Sequence, residues 1–150
     1  MMLSTYLLLN SKKLLPFLAL CSLGALANER FSGQWEGENV AGSVLTLNLK
    51  QNAQVINGTY CYITQRGNRI DCAAPGENNL HGIIAGNRAD VVFDSSFGGV
   101  NGQASLEVES DRMTWQLIKV PVKGSYYAPQ TITLTRNRAG NAMQATILPQ

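Results

Sequence analysis

The stretch Ala104-Ser-Leu-Glu-Val-Glu-Ser-Asp-Arg-Met-Thr-Trp-Gln-Leu117 decides the fold class. Apolar residues occupy every second position in each of its halves, namely Ala104, Leu106, Val108, Met113, Trp115 and Leu117. Strict alternation places the apolar side chains on one face of a β-strand and the polar ones on the other. Ser110 and Asp111 separate the halves, and both residue types are common in tight turns. The stretch therefore predicts an antiparallel hairpin.

The same alternation recurs along the chain, with turn residues at intervals of about eight to twelve positions. It predicts further strands at 33–37, 45–49, 54–63, 69–73, 80–84, 89–95 and 132–134, and turns at Gln51-Asn52, Ala85-Gly86-Asn87 and Ser110-Asp111. A meander of that many strands has two exposed edges, which closure into a barrel removes. We therefore predict an all-β fold, a small antiparallel up-and-down meander that forms a closed or nearly closed barrel of eight or nine strands. A two-sheet sandwich is the alternative.

Residues 1–27 have the layout of a secretory signal peptide. Lys12 and Lys13 precede an apolar run over 14–26, which ends in the small-x-small site Ala25-Leu26-Ala27. The run is shorter than the roughly 20 residues that a membrane-spanning helix needs. We expect cleavage before Asn28, a single domain over 28–150, and a periplasmic or secreted protein with no membrane span in the mature chain.

A lipoprotein signal at Cys21 is the minor alternative, because Leu20 occupies the position where a small residue is expected.

The charge balance of the mature chain argues against nucleic acid as a partner. The full sequence has 12 Lys plus Arg and 10 Asp plus Glu. Lys12 and Lys13 leave with the signal, and 1–27 holds no acidic residue, so 10 positive charges face 10 negative ones. Nucleic-acid binding driven by phosphate neutralisation needs a clustered positive surface, whereas these basic residues are scattered.

The two cysteines that remain after cleavage, Cys61 and Cys72, are expected to form a disulfide in an oxidising compartment. If they lie directly opposite each other on neighbouring strands, Ile63 faces Ile70 across the same hairpin. The loop is then Gln65–Asn68, with positive φ expected at Gly67 and Asn68. The bridge pins this hairpin, whose tip projects Gln65, Arg66, Asn68 and Arg69.

Tyr60 and Tyr62 flank Cys61 and must share the face opposite to it. We expect Cys61 and Ile63 to point inward, which places both tyrosines on the outside. In the reverse assignment the tyrosines line the interior.

Catalysis, metal binding and a bound cofactor find no support in the sequence. His81, the only histidine, lies in a short apolar run and is expected at the surface of a strand. Three carboxylate pairs have the even spacing of a solvated strand face, namely Glu36 with Glu38, Glu107 with Glu109, and Asp90 with Asp94. Two cysteines and one histidine fall short of a zinc site's usual four ligands. We expect a non-enzymatic protein without metal or cofactor.

The segment 121–129 is the most unusual connection, because it carries Lys123, Tyr126 and Tyr127 between two prolines. Tyrosine provides a large amphipathic contact area at low entropic cost, so such loops often recognise partners. We predict a partner-binding site at Lys123, Tyr126 and Tyr127, joined by Arg66 and Arg69 of the hairpin tip. The alternative is that one tyrosine plugs the barrel mouth and the prolines stiffen the crossing.

Three short motifs resemble those of lipocalins and avidin-type barrels. Gly33-Gln34-Trp35 is similar to the Gly-x-Trp that opens both families, Gly58-Thr59-Tyr60 to the avidin-type second hairpin, and Leu134-Thr135 to the closing strand. The resemblance spans residues 31 to 136 as a rhythm and implies a small up-and-down barrel. It does not imply biotin binding, because Ile132 and Thr133 stand where a ligand-contacting tryptophan is expected.

Two functions remain open at this point. The first is an inhibitor or immunity-type protein that blocks a secreted or cell-wall-active enzyme with the loops at one barrel end. Bacterial lysozyme inhibitors and immunity proteins include small periplasmic barrels with one disulfide, an analogy of size, compartment and fold. The second is a lipocalin-like carrier that holds a small apolar ligand inside the barrel. Large inward residues such as Trp115, Met113 and Phe93 favour a filled interior.

Overall fold

In a computed structural model of the chain, residues 29–138 are described, and the predicted signal peptide at 1–27 lies outside them. The named secondary-structure elements of this part are strands and one 3₁₀ turn at Gln65–Gly67. The strands are β1 (Gly33–Glu38), β2 (Val44–Asn52), β3 (Val55–Thr64), β4 (Arg69–Cys72), β5 (Leu80–Ala85), β6 (Arg88–Phe93), β7 (Gly99–Val100), β8 (Gly102–Glu109), β9 (Arg112–Lys119), β10 (Val122–Lys123) and β11 (Thr131–Arg136).

Eight of these strands form a closed antiparallel barrel in the order β2-β1-β11-β9-β8-β6-β5-β3, which the pairing of β2 with β3 completes. The ninth strand, β4, pairs with β3 alone, and β7 and β10 form a separate two-stranded sheet. The all-β prediction and the predicted barrel closure are therefore confirmed. Since consecutive barrel strands are neighbours, the topology is the expected up-and-down meander.

Large side chains fill the barrel. The rings of Tyr60, Phe93 and Trp115 lie with their centroids 5.0 to 5.6 Å apart, and all three residues are fully buried. Residues of the decisive stretch face inward as the alternation predicts, and Trp115 donates its Nε1 hydrogen to the Pro129 carbonyl at 3.0 Å. Aromatic pairs at these separations add to the free energy of area burial. The interior is thus a packed core.

The two ends of the barrel differ in their connections. At the end that we call the tight-turn end, barrel strands are joined by two residues at Ala53-Gln54, Gly86-Asn87 and Ser110-Asp111. At the opposite end, the long-loop end, the connections are 39–43, 65–79, 94–101 and 120–130. The predicted turns at 85–87 and 110–111 are confirmed, whereas the turn predicted at 51–52 lies two residues later because β2 continues through Asn52.

Arg136 closes the tight-turn end from the last strand. Its guanidinium lies 4.1 Å from the centroid of the Trp35 ring and donates to the main-chain carbonyls of Ser32 and Arg30. The Trp35 indole nitrogen donates to the Phe31 carbonyl at 2.9 Å, and both aromatic residues are fully buried. The chain entering β1 is therefore fastened to the chain leaving β11.

The β3–β4 hairpin has the predicted register. Cys61 pairs with Cys72 in a disulfide, Ile63 pairs with Ile70, and Thr64 pairs with Arg69. The expected orientation is wrong, however. Ile63 and Ile70 are 36% and 56% exposed, while Tyr60, Tyr62 and Asp71 are buried, so the disulfide faces outward and the tyrosines face the interior.

The hairpin loop takes positive φ at Gln65, Arg66 and Gly67, whereas Asn68 has φ −74°. The prediction is therefore confirmed at Gly67 and wrong at Asn68.

Along the edge of β3 that faces away from β2, two different strands pair with successive parts of it. Its first part, Val55–Gly58, pairs with β5, and its last part, Cys61–Thr64, pairs with β4. At the junction the Asn79 side chain accepts from the Tyr60 N–H at 2.7 Å and donates to the Tyr60 carbonyl at 3.0 Å. One amide side chain therefore satisfies the two main-chain groups that neither β4 nor β5 reaches.

Candidate functional site

Two loops of the long-loop end are bound to each other through their backbones. Ser125 donates its N–H to the Phe97 carbonyl at 3.1 Å, and Gly99 donates to the Ser125 carbonyl at 3.1 Å. A Cβ atom on Gly124 would lie 2.4 Å from the Gly98 carbonyl carbon, so only glycine permits this approach. The segments 94–98 and 121–129 thus form one layer over the barrel mouth.

Three side chains from different segments meet on this layer, and we call them the Tyr127 cluster: Arg69, Phe97 and Tyr127. The Phe97 and Tyr127 rings meet edge to face with centroids 4.8 Å apart. The Arg69 guanidinium carbon lies 5.8 Å from the centroid of the Tyr127 ring, within the range of a cation–π contact. Arg69 and Phe97 are exposed and Tyr127 is half-buried. The cluster therefore presents a cation beside apolar rings to solvent.

Asp71 of β4 holds the layer from the interior side. Its carboxylate is fully buried and accepts four hydrogen bonds from the two loops. The donors are the Ser95 hydroxyl at 2.8 Å, the Ser96 N–H at 2.8 Å, the Ser96 hydroxyl at 3.1 Å and the Tyr127 N–H at 3.1 Å. A buried carboxylate is tolerated when hydrogen bonds replace its hydration. Asp71 thus joins the hairpin to both loops that carry the aromatic rings.

Two tyrosine hydroxyls lie at this end of the interior. Tyr62 accepts a hydrogen bond from the Asn39 amide at 3.3 Å, whereas the buried Tyr60 hydroxyl has no hydrogen-bond partner among the described residues. Burial, followed by the negative charge of Asp71, raises the pKa of the Tyr60 phenol far above its ordinary value. The Tyr60 side chain therefore stays neutral at physiological pH.

The predicted site residues separate into two groups. Arg69 and Tyr127 meet in the Tyr127 cluster, and Tyr126 is half-buried against the barrel core beside Ala128. Lys123 and Arg66 are exposed on β10 and at the hairpin tip. Within 29–138, no hydrogen bond, ion pair or ring contact joins them to the cluster. Tyr127 packs against the barrel core as Tyr126 does.

Phe97 and Asp71 were missed by the sequence reasoning. Phe97 precedes a glycine-rich connection that carries no strand pattern, and Asp71 lies in a short hairpin beside Cys72. The one available signal was strand alternation: Asp71 lies on the opposite strand face from Ile70 and Cys72.

The residues considered for chemistry all lie on the outer surface. His81 is exposed on β5, and both members of each predicted carboxylate pair are exposed. Residues 29–138 contain no group of three or more metal-ligating side chains. In the same range, no helix has the length and hydropathy needed to cross a bilayer.

Comparisons with known proteins add no relative. No family model, no curated protein and no solved structure matches the chain.

Proposed function

We propose that the protein is exported and acts without catalysis, blocking a partner enzyme as an inhibitor or immunity-type protein does. The observation that carries this proposal is the Tyr127 cluster, an exposed cation and two aromatic rings held together at one end of a filled barrel. Arginine and tyrosine are enriched among the few residues that dominate binding free energy at protein interfaces. The long-loop end is therefore the proposed binding surface.

Rigidity supports the same proposal. The loops that carry Phe97 and Tyr127 are tied by their own backbones and by Asp71. A surface that is ordered before it meets its partner loses less conformational entropy on binding. Such preorganisation is typical of inhibitors that enter an enzyme's cleft.

The cations at the long-loop end suggest the charge of the partner's binding surface. Within 29–138, none of Arg66, Arg69 and Lys123 forms an ion pair with a carboxylate. A partner that presents acidic side chains opposite these cations would form ion pairs with them. Arg69 is the strongest candidate for such a pair because its contact with Tyr127 already orients the guanidinium. We therefore propose a secreted or cell-wall-active enzyme with carboxylates in or around its active site.

Export is supported by the disulfide between Cys61 and Cys72, since such bonds persist in oxidising compartments. The carrier hypothesis has less support. The barrel interior is occupied by Tyr60, Phe93 and Trp115, whereas a carrier needs an enclosed apolar cavity. A cleft of about 560 Å³ beside the disulfide opens on the outer surface.

The proposal is tested by affinity capture from a periplasmic extract of the source organism, followed by an activity assay on the captured enzyme. The test variant is Arg69→Ala with Tyr127→Ala. Its matched control is Ile83→Ala with Arg88→Ala, which removes an exposed apolar and an exposed basic side chain from the barrel wall.

We expect wild type and control to capture and inhibit the same enzyme. The test variant should bind it at least about 10-fold more weakly, because each such contact residue contributes roughly 1–2 kcal/mol. Equal capture by all three proteins contradicts the assignment of the surface, and a captured enzyme that wild type leaves active contradicts inhibition.

A further inference from the structure

At the long-loop end the barrel wall has a place where neighbouring segments are not joined by strand pairing, and we call it the seam. β5 begins only at Leu80, so the last part of β3, Cys61–Thr64, pairs with β4 instead. On its other side, β4 faces the segment 94–97 that continues β6. No strand pairing joins β4 to this segment in the described residues. There the one hydrogen bond from the segment to the β4 main chain runs from the Ser96 hydroxyl to the Ile70 carbonyl at 3.5 Å.

The Asp71 carboxylate spans this seam. Its Oδ1 accepts from the N–H and the hydroxyl of Ser96, and its Oδ2 accepts from the Ser95 hydroxyl and the Tyr127 N–H. One side chain therefore supplies the bonds that a backbone ladder supplies elsewhere around the barrel. It also reaches a third segment, the loop 121–129, which a ladder would not reach.

We propose that Asp71 is the positioning residue of the binding surface: it locks the segments 94–97 and 121–129 onto the β3–β4 hairpin, so that Phe97 and Tyr127 stay in contact with Arg69. The part of this statement that concerns binding rests on the proposed function. The lock itself is a property of the isolated protein and is tested there.

The chemistry of the carboxylate explains why this residue type is needed. All four groups that bond to it are donors, and a carboxylate offers acceptor sites only. In Asp71→Asn, one oxygen becomes an NH₂ donor of nearly the same size. A serine hydroxyl can rotate to accept from it, but a main-chain N–H cannot. Whichever way the amide turns, either Tyr127 or Ser96 loses its acceptor.

The test is residue-resolved amide hydrogen exchange by NMR on wild type, Asp71→Asn and a matched control. The control is Ser43→Ala, which removes the 2.8 Å hydrogen bond between the Ser43 and Thr64 hydroxyls at the same barrel end. In Asp71→Asn we expect the amide of Tyr127 or Ser96 to exchange at least about 10-fold faster, the factor that corresponds to about 1.4 kcal/mol. Amides in β8 and β9 should keep their wild-type rates, and Ser43→Ala should leave both loop amides unchanged.

Unchanged exchange at Tyr127 and Ser96 would overturn the proposal. An increase of equal size in β8 and β9 would also overturn it, since Asp71 would then serve only global stability. If Asp71→Asn does not fold, Ser95→Ala takes its place. This variant keeps the carboxylate and removes one of the two donors to Oδ2. It also removes the hydroxyl that accepts from the Phe97 N–H at 3.1 Å, so Phe97 is not a readout. Exchange should rise at Ser96 or Tyr127 with the barrel unaffected; no such rise overturns the proposal.

Capture of the partner enzyme separates this proposal from the proposed function. If the lock exists and the surface binds, Asp71→Asn weakens capture although Arg69, Phe97 and Tyr127 are all present. If exchange rises but wild type captures no enzyme, the lock stands and the inhibitor proposal fails. If exchange rises and Asp71→Asn captures the enzyme as well as wild type, the positioning role in binding is refuted.

Discussion

The two ends of the barrel are closed by side chains of opposite charge that bond to opposite backbone groups. Arg136 at the tight-turn end donates to the carbonyls of Arg30 and Ser32, whereas Asp71 at the long-loop end accepts from the N–H groups of Ser96 and Tyr127. Arg136 seals a packed core between short turns. Asp71 also arranges loops whose side chains reach solvent. Closure therefore serves stability at one end and, in our proposal, recognition at the other.

The largest difference between the ends should appear when an aromatic ring is removed from each. Trp35→Ala deletes a fully buried side chain at the tight-turn end and should lower the free energy of unfolding by about 3–5 kcal/mol. Tyr127→Ala removes a half-buried ring at the long-loop end and should cost about 1 kcal/mol. Urea denaturation followed by fluorescence of the remaining tryptophans measures both. Similar losses would mean that the long-loop end is part of the stability core.

Removing the disulfide tests what the β3–β4 hairpin at the long-loop end contributes to stability. In the chain-entropy view, a bridge between residues 11 apart stabilises by about 3 kcal/mol. Cys61→Ser with Cys72→Ser should therefore lower Tm in a thermal melt while the β-type circular dichroism spectrum persists at 25 °C. The bridge itself is checked by thiol titration of exported protein, where two free thiols would refute it. Loss of the β spectrum would show that the hairpin is needed for barrel closure.

Arg136→Met tests the closure of the tight-turn end. The substitution keeps much of the side-chain volume and removes the charge-assisted bonds to the carbonyls of Ser32 and Arg30, so we expect a loss of about 2 kcal/mol. The control, Arg88→Met, breaks an exposed ion pair with Asp90, which should change stability by no more than about 0.5 kcal/mol. Equal effects in urea denaturation would contradict the role assigned to Arg136.

The smallest effects concern the two interior tyrosine hydroxyls. Tyr62→Phe deletes the bond from Asn39 and should cost about 1 kcal/mol. Tyr60→Phe deletes a buried hydroxyl that has no hydrogen-bond partner within 29–138 and should leave stability unchanged or raise it by about 1 kcal/mol. A clear loss for Tyr60→Phe would reveal a bond to this hydroxyl.

The raised pKa of Tyr60 also predicts a pH dependence. Its phenol stays protonated in the folded barrel, whereas in the unfolded chain it ionises near pH 10, about the ordinary pKa of tyrosine. Stability should therefore be retained below about pH 10 and fall as the pH rises further. Urea midpoints at pH 8 and pH 11 measure this fall, which should be smaller in Tyr60→Phe. An equal fall in both proteins would contradict the assignment.

The strands and the hairpin register were predictable because both depend on short-range rules. Alternation over 104–117 identifies β8 and β9, and the positions of Cys61 and Cys72 determine the register of the β3–β4 hairpin. The inward face of that hairpin was not predictable, because Ile63 with Ile70 and Tyr60 with Tyr62 are equally suited to a core. The binding surface depends on contacts across greater distances. The residues that bond to Asp71 lie 24, 25 and 56 positions away, beyond any periodic signal.

The junction in β3 has a consequence for how the chain can be rearranged. Residues 73–78, which precede Asn79 at that junction, belong to no strand. Gly76 is exposed with open space around it. β1 and β11 are paired neighbours, so a short linker can join the two described ends while new termini open between Pro75 and Gly76. Such a circular permutant would start at Gly76 and still close the same eight-stranded barrel.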